Sequence, residues 1–251
     1  MLEMDALFFI FAIPAVVFAG ISKGGFGSGA AFAGSSILAL VLPPAQALGI
    51  MLPLLMLIDV AALRPYWGKW NWLEARALLW GGFPGVLLGV ALWRVASDDV
   101  IRLFIGTISL GFVVWQVTAA RVFRATYNTG SSSAWGYVAG TIAGFTSFIS
   151  HAGGPPVAVY LLSRGMEKTE YQASTVLVFW VVNIMKAIPY GILGIFSVQT
   201  LLANLYLAPF ALTGTWLGVL AHRVISAKLF FTVTYAMLTI TGSKLIWDAL
   251  T

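Results

Sequence analysis

The sequence predicts an all-α, polytopic membrane protein made of two inverted repeats of about five helical segments each, with short or broken helices at two glycine-rich interruptions. Three observations predict it. The composition is too apolar to cover a water-facing surface. The chain repeats itself once. Its loop charges fall on one side when each half holds five segments.

The chain has 251 residues, 60% hydrophobic and 9% charged, with a mean hydropathy of +0.92. Soluble domains carry about 25% charged residues, so the charges present suffice only for short loops between membrane helices. Tryptophans sit at the ends of apolar runs: Trp67, Trp70 and Trp72 flank one and Trp93 closes another. That placement is a membrane-interface belt. The net charge of +5 is spread one or two basic residues per loop, a pattern of cytoplasmic loops rather than of a nucleic-acid stripe. With no cysteine, disulfides and thiolate metal sites are excluded. The first residues carry Glu3 and Asp5 instead of a basic cluster, and no small-x-small site follows the apolar run. The first apolar run is therefore read as a membrane segment and not as a secretory signal.

A helix needs roughly 20 apolar residues to cross hydrocarbon. The segments expected are 5–21, 26–42, 47–65, 77–96, 100–120, 134–149, 154–163, 172–195, 199–222 and 227–248. Two pairs are short and interrupted by glycine-rich stretches, the first around Lys23 and the second between 149 and 154. The most polar stretch, 121–133, ends in Gly-Ser-Ser-Ser. It divides the chain into a first membrane repeat, 1–120, and a second, inverted one, 134–251.

The halves match in order. At an interval of 124, Ala19 pairs with Ala143, Gly20 with Gly144, Asp59 with Asn183, Pro65 with Pro189 and Tyr66 with Tyr190. At 129, Gly85 pairs with Gly214, Gly89 with Gly218 and Arg94 with Arg223, so one insertion of five residues reconciles the registers. With five segments per half, one side receives Arg64, Lys69, Arg76, Arg121, Arg124, Arg164, Lys168, Arg223 and Lys228. The other receives only Arg94 and Arg102, beside Asp98 and Asp99. That is a positive-inside signal, and it vanishes with four segments per half. An odd number inverts the second half and puts both termini outside the cytoplasm. Whether the first pair of each half crosses or re-enters stays open.

Inverted repeats with interrupted segments at matching positions point to a transport site near the midplane. The interruptions read GISKGGFGSG, Gly20 to Gly29, and GFTSFISHAGGPP, Gly144 to Pro156. Irregular backbone survives at membrane depth only where protein or a water-filled cavity satisfies it. Pro155 and Pro156 suit the first turn of a helix, so each interruption is expected to start a half-helix with its N-terminus toward the centre. Helix starts and hydroxyls together suit a small anion. The candidate substrate-binding residues are Ser22, Lys23, Gly24, Gly25 and Ser28 in one, and Thr146, Ser147, Ser150, His151, Gly153 and Gly154 in the other. The competing reading is close helix packing, which small residues also permit, and it is preferred for Gly85-x-x-x-Gly89.

Lys23 is either a topogenic lysine or a cation at the site, and His151 either a structural histidine or a proton carrier. Asp59 and Lys186 lie inside apolar spans, where ionisable groups are costly and are paired or functional. They are expected to face the interior, as a structural ion pair or as a coupling site. No metal-ligand cluster, cofactor motif or Walker loop stands out. GISKGGFG has glycine and lysine but neither the spacing nor the strand of a phosphate loop.

Gly20-Ile-Ser-Lys-Gly-Gly-Phe-Gly27 and Gly144-Phe-Thr-Ser-Phe-Ile-Ser-His-Ala-Gly-Gly-Pro-Pro156 resemble the corresponding segments of the TauE/SafE, or sulfite exporter, family of membrane permeases. The second stretch is the more specific, and the likeness covers nearly the whole chain. The resemblance implies a non-enzymatic carrier in the bacterial inner membrane for a small sulfur-containing anion such as sulfite or an organosulfonate. It also implies a secondary mechanism driven by a proton or ion gradient. An uncoupled anion channel and a membrane-embedded enzyme using His151 with Asp59 are the alternatives. The expected partners are the anion, the lipid bilayer and a coupling ion, with no nucleic acid, and a homo-oligomer stays open.

Overall fold

The computed structural model describes residues 4–26, 28–122 and 133–251, and no strand occurs among the described residues. Helices satisfy every backbone polar group within their own segment, as hydrocarbon demands. The order is α1 (Ala6–Ile21), α2 (Ala33–Leu38), α3 (Pro44–Leu63), α4 (Trp72–Val95), α5 (Asp98–Val122), α6 (Ser133–Ser150), α7 (Gly154–Ser163), α8 (Lys168–Ile192), α9 (Val198–Val224) and α10 (Ala227–Leu250). Among the described residues, seven helical stretches are long and apolar enough to cross a membrane. Large apolar side chains such as Trp80, Phe83, Leu87 and Leu88 point outward from α4, as a lipid-facing surface requires.

Local signals set the helix starts. Asp5 accepts from the backbone N–H of Phe8, Asn71 from that of Glu74, and Ser226 from that of Leu229. Ser197 and Thr200 cap α9 reciprocally. Each such cap satisfies an otherwise orphaned N–H.

Two expectations change, and a third falls mostly outside the described residues. The segment expected over 26–42 is not one helix. α1 winds on through a π-helical turn, Ser22–Phe26, and after a 3-10 turn, Ser28–Ala30, only the six residues of α2 are α-helical. Its small residues are buried, and Ser35 donates to the carbonyl of Ser150 in the other interrupted stretch. That hydroxyl satisfies a backbone acceptor of the second stretch from far along the chain. α4 begins at Trp72, five residues before the expected 77, because Asn71 caps a first turn containing Glu74. The polar stretch 121–133 lies largely outside the described residues, with α5 reaching Val122 and α6 starting at Ser133.

α1 packs along α9, α4 along α6, and α5 along α10. Glycines permit these close approaches. A Cβ on Gly85 would stand 2.1 Å from the carbonyl oxygen of Thr141, and one on Gly214 would stand 2.5 Å from that of Val17. The two contacts correspond, since Val17 and Thr141 are 124 apart and Gly85 and Gly214 are 129 apart. The packing reading of Gly85 and Gly89 fits this geometry, because Gly89 lies against the Phe148 ring.

The bundle has two ends. At one, Leu42 and Pro43 before α3, Arg102 of α5 and Asp248 of α10 line a common cleft, and Gly49 of α3 abuts Ile195 just past α8. At the other, Glu74 of α4 meets Tyr160 and Arg164 at the end of α7. α1 starts where α9 starts, with the Phe9 and Tyr206 rings 6.5 Å apart. Hence the start of α1 and the end of α10 share one end of the bundle. The loops carrying Arg64, Lys69, Arg164 and Lys168 gather at the other, the basic end.

Candidate functional site

Both interrupted hairpins turn in the middle of the bundle and meet there. A Cβ on Gly154 at the start of α7 would fall 2.5 Å from Cα of Gly29. Around this contact lie the buried charges. Asp59 and Lys186 are 0% exposed, Lys23 is 5% and His151 7%. All four face the interior, the environment anticipated for Asp59 and Lys186.

The pairing differs from the expected one. Asp59 forms its ion pair with Lys23, Nζ to Oδ1 2.5 Å, and not with Lys186. Its other oxygen accepts from Nδ2 of Asn183 at 2.6 Å. Lys23 sits in the π turn, where the widened helix departs from α-helical register, and also stands 5.9 Å from the centre of the Phe179 ring. π turns of this kind recur at functional sites.

Lys186 lies one turn beyond Asn183 on α8. Its Nζ donates to the carbonyl and the hydroxyl of Ser147, at 3.0 and 2.9 Å, and lies 2.9 Å from Nδ1 of His151. The last turn of α6 supplies those acceptors, and a helix C-terminus carries partial negative charge that favours a cation. His151 Nε2 lies 3.3 Å from the carbonyl oxygen of Leu48 on α3. The His151 backbone has φ of +59°, a left-handed conformation that non-glycine residues rarely adopt. Strained backbone of this sort gathers at working sites. Tyr190 closes this region toward the non-basic end by donating to the carbonyl of Phe148 at 2.5 Å.

Other anticipated residues have structural work within the hairpins. Gly24 and Gly25 admit the carbonyls of Thr215 and Gly218 on α9, and Gly153 lies against the carbonyl of Ala143. The hydroxyl of Thr146 donates to the carbonyls of Ile142 and Ala152, and that of Ser150 to Thr146. Ser22 is buried. The side chain of Ser28 lies outside those described. The expected amide-rich helix starts are sparser than anticipated: α2 has six residues, and Pro155 and Pro156 have no N–H to offer. Asn183 was missed as a site residue, although its match to Asp59 at an interval of 124 was a usable signal. The Leu48 carbonyl left no signal in the sequence at all.

A cavity of about 720 Å³ opens on the basic side and reaches Lys23. Tyr66, Lys168, Gln172 and Thr215 are among its polar lining, Phe26 and Phe231 among its apolar lining, and no carboxylate lines it among the described residues. No cluster of His, Cys, Asp or Glu fit to hold a metal occurs among the described residues.

A multi-pass helical bundle with buried charges at the meeting point of two broken hairpins, reached by a cavity from one end, defines the class of membrane transport proteins. The chain belongs to the TauE/SafE sulfite exporter family, whose model matches residues 12–245. It is accordingly a multi-pass membrane permease of that family. No curated protein and no solved structure matches it.

Proposed function

We propose that this permease carries a small sulfur-containing anion, such as sulfite or an organosulfonate, by alternating access across the bacterial inner membrane. The anion sits where the two interrupted hairpins meet, between the Lys23–Asp59–Asn183 group and the Lys186–Ser147–His151 group. One observation carries the reading. Two buried lysines converge there and, among the described residues, one buried carboxylate answers them. Lys23 and Asp59 balance one another, while Lys186 is held by neutral groups, and an anion would supply the counter-charge it lacks. A compact oxyanion with several acceptor oxygens fits a lysine flanked by hydroxyls and an imidazole, and such a site is weak enough to release its cargo.

The halves act as inverted repeats, with the basic end in the cytoplasm by the positive-inside rule and both termini on the opposite side. The cavity is then the cytoplasmic approach. Closure toward Tyr190 and Leu48 is the barrier on the far side, and rocking of one hairpin against the other moves it.

The test is a ligand-stabilisation screen of the purified protein with sulfite, sulfate, thiosulfate and small sulfonates, since a ligand bound to the native state raises its melting temperature. A rise with a sulfur oxyanion, lost in Lys186→Met, supports the reading. No rise with any of them sinks it. Accumulation of the same anion in proteoliposomes against its gradient separates a carrier from an uncoupled channel.

A further inference from the structure

We propose that Lys186 and His151 hold one proton between them in the empty permease, and that a bound anion brings in a second, so that anion and proton travel together. This rests on the anion-permease reading above and adds the coupled ion and the atom that carries it.

The hydrogen-bonding pattern leaves little choice. The Leu48 carbonyl can only accept, so the proton of a neutral His151 ring belongs on Nε2, 3.3 Å from that oxygen. Nδ1 is then a lone pair, and it accepts from Lys186 Nζ at 2.9 Å. A second proton on Nδ1 would set two cationic N–H groups face to face across this distance. The gap between Nζ and Nδ1 therefore holds one proton while the site is empty. The other groups around His151 do not change this. From α8 it faces Lys186 and the Tyr190 ring, whose centroid is 6.2 Å away. From the π turn the charge of Lys23 reaches it. From α3 it meets the Leu48 carbonyl, and the one carboxylate nearby on that helix, Asp59, is bound by Lys23 and Asn183.

An anion changes the pattern. When an oxygen of the anion takes a hydrogen bond from Lys186, Nζ turns away from Nδ1, and Nδ1 faces the anion with a lone pair of its own. Two acceptors oppose each other. The ring cannot cure this by moving its proton to Nδ1, because a bare Nε2 would then face the Leu48 carbonyl oxygen, two buried acceptors opposed. A proton from solvent on Nδ1 cures it. His151 becomes an imidazolium that donates to Leu48 through Nε2 and to the anion through Nδ1. No covalent bond forms and the anion is unchanged. The formal charge of the site returns to that of the empty state, because one negative and one positive charge arrive together. On the opposite face, loss of the Nδ1 proton restores the lone pair. Lys186 swings back to it, and the anion is released.

Calorimetric titration of the purified, full-length permease in buffers of differing ionisation enthalpy tests this. The probes are ethanesulfonate, which stays ionised and so cannot supply or take the proton itself, and sulfite, corrected by a protein-free titration. The expected result is uptake of about one proton per anion bound, with apparent affinity rising as pH falls, up to about tenfold per pH unit. In His151→Gln the anion binds more weakly and without proton uptake. Binding by the parent protein without proton uptake, or uptake that persists in His151→Gln, overturns the coupling while leaving the anion-permease reading intact. Failure of every anion to bind the parent overturns the latter instead.

Discussion

Nδ2 of Asn183 donates to Oδ2 of Asp59 at 2.6 Å, and the two residues stand 124 positions apart, the interval that also separates Gly20 from Gly144. Equivalent residues of two halves related by a two-fold axis touch one another only on that axis. The bond joins α3 to α8 at the point where such an axis would pass. The chemistry at this point is unequal, a carboxylate against an amide. Asp59 can therefore answer Lys23 without meeting a second negative charge.

That inequality makes Asp59 and Lys23 a unit. Asp59→Asn strands the ammonium of Lys23 in the interior, and removing one partner of a buried pair costs about 3–5 kcal/mol. The double change Asp59→Asn with Lys23→Met should recover most of the loss, whereas Asp59→Asn with Lys186→Met should not. Thermal melting in detergent decides this. Rescue by the Lys186→Met double alone would show that Lys186, not Lys23, is the partner.

Asn183→Asp should be harmful for the complementary reason. It sets a second carboxylate at hydrogen-bonding distance from the first, and two such groups cannot both ionise. A lowered melting temperature and weaker anion binding are expected, with the deficit easing as pH falls and one carboxyl takes a proton. A variant whose melting is indifferent to pH and equal to the parent would remove Asn183 from the site.

Gly154→Val should separate the two hairpins, since even a Cβ there would lie 2.5 Å from Cα of Gly29. Overpacking of this kind costs about 1–3 kcal/mol. The protein should still reach the membrane but should lose the rise in melting temperature caused by the anion. Gly29→Ala is the control, because no atom stands within 4 Å of a Cβ at that position, and it should keep the rise. Normal binding by Gly154→Val would place the site away from the hairpins.

His151 has φ of +59°, and a non-glycine residue held there costs of order 1–3 kcal/mol. Both His151→Ala and His151→Gly lose the imidazole and should lose coupled transport. The glycine variant relieves the backbone, so it should unfold at a higher temperature than the alanine variant. Alanine melting above glycine would mean the backbone is relaxed in that conformation.

Membrane orientation follows from the shared end of α1 and α10. A reporter fused after Thr251 should be active outside the cytoplasm, and one inserted within 123–132 should be active inside. A cytoplasmic C-terminus would end the inverted five-segment reading, whatever the status of the anion site.

That this is a helical membrane protein, where most of its long helices run and which two stretches break were all legible in the order of residues. Composition, hydropathy and loop charge are local quantities and survive being read in one dimension. The interval of 124 even held the Asp59–Asn183 contact, since the ordered matches between the halves already set those two residues opposite each other. Tertiary structure alone decided which lysine Asp59 takes. Lys23 and Lys186 are equally basic and each lies in an apolar stretch. The choice rests on the π turn that brings Lys23 to Asp59 and on the last turn of α6, which offers the Ser147 carbonyl and hydroxyl to Lys186. It also decided that α2 is a six-residue stub, whose Ser35 hydroxyl serves the Ser150 carbonyl of the other hairpin. A buried charge chooses its partner by direction and depth, and a broken segment keeps its shape through groups far along the chain. Neither has a period or a spacing that a sequence displays.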